Sequence, residues 1–286
     1  MESKKVAILT GVSSGIGFYL SIYLSKEAIV YGILRNKQKF LQNLKKNNLS
    51  LPENLNIIQM DVREYPKAKQ LIKKIYKKHG RVDFLVNNAG YGVYGAFEEI
   101  PSEEFRNQFE TNFFAPLEWI RLVLPIMRKQ RNGKILNITS ILGLLTIPTS
   151  AAYASSKFSL VAVSEVLNYE LAPFSIEVCS VEPGLVKTDF KANMVIPEEL
   201  DNKNSSYYFL NQIIKKNLFS YPRWFARAET AALQIYKLLY KKSLPVHYKI
   251  GFDAKFYWFL KSILPENLLN FLIKKYIYRV YKKYES

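Results

Sequence analysis

Along the first 190 residues, short apolar runs rich in β-branched residues alternate with longer stretches whose apolar positions recur every three or four residues. The runs fall at 6–10 (VAILT), 28–34 (AIVYGIL), 56–62 (NIIQMDV), 83–88 (DFLVNN), 134–140 (KILNITS) and 176–183 (IEVCSVEP). Their length and flanking turns predict buried strands. Helical periodicity covers 15–27, 63–80, 101–133 and 150–174, and a further helix at 226–240 precedes a last strand at 246–252. Strands joined in turn by helices imply right-handed crossovers and a parallel sheet. The expected fold class is therefore α/β: a doubly wound, Rossmann-type, mostly parallel seven-stranded sheet with helices on both faces. It forms one domain over 1–251. Between about 190 and 225 the sequence turns polar and then aromatic with no clean strand, which predicts a flexible segment lying over a pocket. A helical C-terminal extension, 252–286, follows.

The composition adds boundaries to that picture. A chain of 286 residues, 49% of them hydrophobic, suffices for one sizeable core. The single cysteine, Cys179, sits in an apolar run, so no intramolecular disulfide forms and no metal-ligand spacing exists. A reducing, cytoplasmic setting is the expectation. The start, MESKKVAILTGVSSG, meets glycine and serine before a signal-peptide core could form. No window of about 18 residues is continuously apolar, so a spanning helix is not expected. The net charge of +17 comes from lysines scattered along the chain, and no recognition motif accompanies it. A nucleic-acid partner is not expected.

Candidate chemistry begins at 10–17, TGVSSGIG, between the first strand and the first helix. Glycines at 11, 15 and 17 permit a tight turn, and a helix N-terminus offers free N–H groups to a pyrophosphate. At the end of the second strand an acid would bind a ribose 2′-hydroxyl, whereas an arginine would accept a 2′-phosphate. The sequence there is GILRN, with Arg35 and no acid. That biases the cofactor towards NADP(H) and leaves NAD(H) open. Tyr153 and Lys157, in YASSK, lie four apart on a predicted helix and share a face. Hydride transfer to a carbonyl needs a proton donor beside the oxygen, and a tyrosine can donate. Its ordinary pKa of about 10 is far from neutrality, and a cation one turn away would lower it. Alone, a Tyr-x-x-x-Lys pair is more often surface packing.

Together these motifs resemble the short-chain dehydrogenase/reductase family. TGVSSGIG looks like its glycine loop and NNAG (87–90) like its fourth-strand motif. ETNFF supplies Asn112, NITS supplies Ser140, YASSK the tyrosine and lysine, and VEPGLVKT a Pro-Gly followed by Thr188. The resemblance covers residues 6 to about 190. It implies that Tyr153 is the general acid or base, and that Lys157 lowers its pKa and holds the nicotinamide ribose. Ser140 would orient the substrate oxygen, and Asn112 would kink its helix and support a proton relay. Implied cofactor contacts are Gly11, Ser13, Ser14, Gly15, Ile16, Gly17, Arg35, Asp61, Val62, Asn88, Ala89, Gly90, Tyr153, Lys157, Pro183, Gly184, Val186 and Thr188. No metal is implied. His79 and His247 match no motif of the family.

Substrate is less legible. Tyr91, Tyr94, Phe190, Met194, Tyr207, Tyr208 and Phe209 either line a pocket for a hydrophobic carbonyl compound or pack a loop onto the core. The tail holds ten aromatic residues and seven Lys or Arg against three acids, and is similar to that of lipid-, steroid- or retinoid-directed members. It either contacts a membrane peripherally or covers the pocket or a second subunit. By analogy, the helices near 102–130 and 153–172 would pair copies into a homodimer or homotetramer. The expected function is carbonyl–alcohol interconversion on a hydrophobic small molecule. A nucleotide-bound sensor without turnover and a sugar-nucleotide epimerase or dehydratase are the alternatives.

Overall fold

A computed structural model describes residues 4–196, 200–219 and 225–285. In chain order its strands are β1 (Lys5–Thr10), β2 (Ala28–Leu34), β3 (Leu55–Gln59), β4 (Phe84–Asn87), β5 (Gly133–Ile138), β6 (Ile176–Pro183), β7 (Val186–Lys187), β8 (Ala226–Arg227) and β9 (His247–Ile250). Seven of them form one sheet in the order β3-β2-β1-β4-β5-β6-β9. Every pairing in it is parallel. β7 and β8 pair only with each other.

The helices are α1 (Gly15–Leu24), α2 (Lys37–Lys46), α3 (Tyr65–His79), α4 (Ser102–Phe109), α5 (Ala115–Gln130), α6 (Ala151–Leu171), α7 (Tyr208–Phe219), α8 (Ala228–Leu239), α9 (Phe252–Ile263) and α10 (Glu266–Glu285). Because side chains alternate along a strand, each strand feeds two cores. Ala7 and Leu9 join Phe18 of α1, Phe40 of α2 and Ile235 of α8 on one face. Val6 and Ile8 join Ile72 of α3, Trp119 of α5 and Leu171 of α6 on the other. Both faces being covered explains why the strands read as apolar runs rather than as alternation.

Three departures from the sequence expectation stand out. α2 is an additional helix: only Phe40 and Leu44 of its ten residues are buried, too thin a stripe to show as a pattern. The single helix expected at 101–133 is two, joined by a π-helical turn at Glu110–Phe114. The segment near 190–225 contains a regular helix, α7, whose Tyr208 and Phe209 meet Tyr284 and Tyr281 of α10 at ring distances of 5.6 and 5.2 Å. The parts of that segment at 197–199 and 220–224 lie outside the described residues. The C-terminal extension is helical, comprising α9 and α10.

Leu136 sits fully buried in β5, near the middle of the sheet. Leu136→Ala should cost about 2–5 kcal/mol in urea unfolding, against less than about 0.5 for Leu41→Ala on the open face of α2. Equal losses would refute this placement of the core.

Candidate active site

Sheet order reverses between β1 and β4, so their connections leave in opposite directions and a crevice opens at the strands' carboxyl ends. The loop after β1 fills its floor. Gly11 takes φ +74° and its N–H donates to the Ile33 carbonyl at 2.8 Å. A Cβ there would come within 2.7 Å of Ala89, and one on Gly17 would overlap the Gly11 carbonyl and the Asn88 amide. Asn88 fastens the two loops: Nδ2 donates to the carbonyls of Thr10 and Gly11 at 3.0 and 2.9 Å. In return, Thr10 Oγ1 accepts from the backbone N–H groups of Asn88 and Ala89, each at 3.0 Å. α1 starts at Gly15 with no side-chain cap from Ser14 and no acid in its first turn. Its first N–H groups and the positive end of its dipole are thus left for an anion.

The other expected cofactor residues lie on this loop or just past the carboxyl ends of the strands. The Ser13 carbonyl accepts from Asn43 Nδ2 at 2.9 Å, and Ile16 packs against the core beneath. Arg35 is exposed just past β2. Asp61 follows β3; burial opposes its ionisation, but hydrogen bonds from Arg63 and the charges of Arg63 and Arg35 outweigh that and hold its pKa below the ordinary value. The Val62 carbonyl accepts from Trp119 Nε1 at 3.0 Å. Pro183 ends β6, the Gly184 N–H donates to the Ile250 carbonyl at 2.9 Å, and Val186 opens β7. Thr188 lies against Gly15, where an added Cβ would be 3.2 Å away. Thus the loops after β1 and β6 meet.

Ser140 follows β5, and its Oγ accepts from the Leu142 N–H at 3.1 Å. Its hydroxyl also bonds the Tyr153 phenol. Tyr153, in the first turn of α6, is buried between Tyr94 and Phe190 at ring distances of 5.5 and 5.6 Å. Lys157, one turn on, places Nζ 5.8 Å from the Tyr153 ring centroid and donates to the Ile138 carbonyl at 2.9 Å. Burial pushes Tyr153 up to about 12, against the opposing hydrogen bond from Ser140, and pushes Lys157 down to about 8. In the protein alone, then, the phenol stands above its ordinary value rather than below it. Desolvation decides the direction, and residue spacing carries no information about it.

Asn112 is fully buried in the π-helical turn. Its side chain accepts from the Tyr91 N–H (3.2 Å) and donates to the Tyr91 carbonyl (2.9 Å) and to Ser156 Oγ (3.3 Å). Gly90 packs beside both Asn112 and Lys157. Gln108, absent from the expected set, is also fully buried: it accepts from the Val93 N–H at 2.6 Å and donates to the Tyr91 carbonyl at 2.7 Å. Its signal was its place one turn before Asn112. Both histidines lie elsewhere. His79 bonds the Tyr31 hydroxyl at 2.9 Å and His247 Nδ1 bonds Glu182 at 2.5 Å. Beside the site is a groove of about 1020 Å³ lined by Gly95, Phe97, Ile147, Ala154, Phe158 and Leu210. Ser140, Tyr153 and Lys157 do not line it, but Ala154 packs in one cluster with Tyr153.

Residues 5–199 match the short chain dehydrogenase family. The chain belongs to that family. This short-chain dehydrogenase is 35% identical over 278 residues to a 3-ketodihydrosphingosine reductase of Bacteroides thetaiotaomicron, covering 94% of this chain and 97% of the relative. A short-chain dehydrogenase of Streptomyces avermitilis has the same fold, with a TM-score of 0.79 and 31% identity over 92% of this chain and 94% of that one. ElxO, solved with NADP bound, aligns with a TM-score of 0.70 and 27% identity over 87% and 97%. The family implies a dinucleotide, and the residues present fit one: the helix start after the glycine loop has no side-chain cap and no acid in its first turn, which leaves its N–H groups for a pyrophosphate.

The buried Lys157 has a folded pKa below that of the unfolded chain, so its contribution is least favourable below pH 8 and improves as pH rises from about 8 towards 10.5. Lys157→Met should therefore raise the melting temperature at pH 7 by about 2–5 °C, with the gap narrowing above pH 9. A variant that melts lower at pH 7 would contradict the burial account.

Proposed function

We propose that this oxidoreductase uses NADPH to reduce the ketone of a long-chain lipid, 3-ketodihydrosphingosine or a close analogue. The reading rests on the convergence of Ser140, Tyr153 and Lys157 beside the glycine loop. Gly11 and Ser13 to Gly17 would hold the pyrophosphate, and Arg35, exposed with no acid at its position, the 2′-phosphate. Asp61 and Val62 would flank the adenine. Asn88, Ala89, Gly90, Pro183, Gly184, Val186 and Thr188 would border the nicotinamide, with Lys157 on its ribose. When bound, NADPH supplies a hydride to the carbonyl carbon.

The rest falls to the chain's own side chains. Ser140 and Tyr153 hold the carbonyl oxygen between two hydroxyls, and Tyr153 gives it a proton. With its pKa at about 12 in the protein alone, the phenol is protonated throughout the neutral range, and the charge of Lys157 beside it would have to bring it down for efficient donation. Alcohol oxidation would need the phenolate, which burial opposes. Lys157, at about 8, is mostly protonated at pH 7 and can return a proton to Tyr153. Asn112 fixes the Tyr91 backbone beside this pair. A sensor without turnover could use Lys157 on the ribose but would have no use for the Ser140 hydroxyl and Tyr153 phenol brought together beside it.

Support for a lipid ketone comes from the aromatic walls Tyr94 and Phe190, from an apolar groove large enough for an acyl chain, and from the sphingoid-ketone reductase that matches nearly end to end. Support for NADPH comes from Arg35 and from ElxO, which binds NADP. Oxidation of NADPH and NADH should be followed with micellar 3-ketodihydrosphingosine, retinal and a steroid ketone. The expected result is turnover of the first with NADPH, reduced about 10²–10⁴-fold in Tyr153→Phe with nucleotide affinity kept. Preference for NADH, turnover of only retinal or steroid, or an active Tyr153→Phe would each overturn the corresponding part.

A further inference from the structure

The geometry points to α9 and α10 as a docking surface for an anionic lipid bilayer. On α9, Phe252, Phe256, Phe259 and Ile263 recur at i, i+4, i+7 and i+11, each between 45% and 69% exposed. That is one continuous helix face turned to solvent. On α10, Leu269, Ile273, Ile277 and Val280 are half-buried, while Leu268, Phe271, Leu272, Tyr276 and Tyr278 are exposed. So extensive an exposed apolar surface marks an interaction site. Charge identifies the occupant. Lys274, Lys275, Arg279, Lys282 and Lys283 stand on α10, and Lys275 lies 5.9 Å from the Phe271 ring centroid. One of the three acids in 252–286, Asp253, is buried and does not offset them.

A two-fold contact between copies of this face would set lysines against lysines. An anionic bilayer accommodates both features, taking aromatic and aliphatic side chains at the headgroup boundary while its phosphates meet the amines. No helix among the described residues is long and apolar enough to cross a membrane, so the contact is interfacial. The whole chain should co-sediment with phosphatidylglycerol-containing vesicles at low salt, less at high salt, and little with phosphatidylcholine alone. Phe256→Glu/Phe259→Glu and Lys274→Glu/Lys275→Glu should each weaken binding about tenfold or more with circular dichroism unchanged. Absence of binding by the wild type would overturn the proposal. So would variants that alter the sedimentation size of the free protein yet bind vesicles normally.

We also infer that Asp253 is a positioning residue for the cofactor-side loop, an inference that rests on the dinucleotide reading above. Asp253 is buried in the first turn of α9, and its Oδ2 accepts from the Leu185 N–H at 2.5 Å. A side chain on Gly184 would overlap the same carboxylate. With the Gly184 N–H bound to Ile250, the Pro183–Leu185 turn is held from both β9 and α9. This turn leads directly into Val186 and Thr188, and Thr188 abuts the glycine loop. The helix reaches the other wall as well: Ala254 packs in the Tyr153 cluster, and Lys261 donates to the Leu144 carbonyl.

Asp253→Ala should weaken NADPH binding, read by fluorescence titration, about tenfold, with kcat at saturating NADPH changed less than about threefold. Exchange of the Leu185 amide should accelerate in parallel. Asp253→Asn, which keeps an acceptor in the same space, should recover most of the affinity. Wild-type affinity in Asp253→Ala would overturn the assignment, as would equal loss in both variants accompanied by a lower melting temperature. Should the wild type bind no NADPH, the cofactor reading fails instead, and unchanged exchange at Leu185 would then refute the positioning role separately.

Discussion

A lysine held out of water is the constraint around which this molecule is arranged. Lys157 has the Ile138 carbonyl as a partner, and burial alone takes its pKa down to about 8. A group that unfavourable stays in place only if its helix cannot shift. The helix is fixed by a chain of buried polar side chains: Asn87 Nδ2 donates to Asn137 Oδ1 at 2.9 Å, and Asn137 Nδ2 donates to Ser164 Oγ at 2.9 Å. This links β4 and β5 to α6 two turns beyond Lys157. Each bond in low dielectric penalises a slip of α6 along the sheet. Position is therefore imposed from below, by groups that take no part in the proposed chemistry.

The parallel topology supplies the other half of the arrangement. Right-handed crossovers return every strand in the same direction, so all loops that follow strands gather at one edge. Residues far apart in sequence then become neighbours there: Thr10 with Asn88, Gly15 with Thr188, and Tyr91 with Asn112. The glycines are a consequence of that crowding. Where three loops share one edge, the backbone of one occupies the space another's side chain would need.

What could be read from sequence follows the strength of each signal. β2 and β6 lie at the predicted positions because both faces of these strands are buried, leaving uninterrupted apolar runs. α2 escaped because lysine, glutamine and asparagine occupy most of its surface and one apolar residue per turn suffices to dock it. Tyr153 and Lys157 were legible as spacing and Ser140 through the family resemblance, yet their electrostatics were not. Spacing gives the distance between an amine and a phenol but says nothing of the water both have lost. Gln108 and Asp253 were missed for a related reason. A buried amide or carboxylate looks like any polar residue until the backbone N–H groups it serves are in place, and those come from 15 and 68 residues away.

Charge brings these strands of reasoning together. The formal excess of +17 understates the imbalance at the surface, because several acids are consumed inside. Asp83 is buried against Arg81 and the Val6 N–H, Glu182 against His247 and Lys249, and Asp253 against the Leu185 N–H. These carboxylates tie strand ends and the C-terminal helices to the sheet, where a charged acceptor is worth more than a neutral one. Trp258 of α9 extends one such tie by lying 4.5 Å from the Lys249 amine. The acids that stabilise the fold are thereby withdrawn from solvent, while all but a few of the lysines stay outside. A basic exterior in this protein is partly a by-product of how its interior is held together.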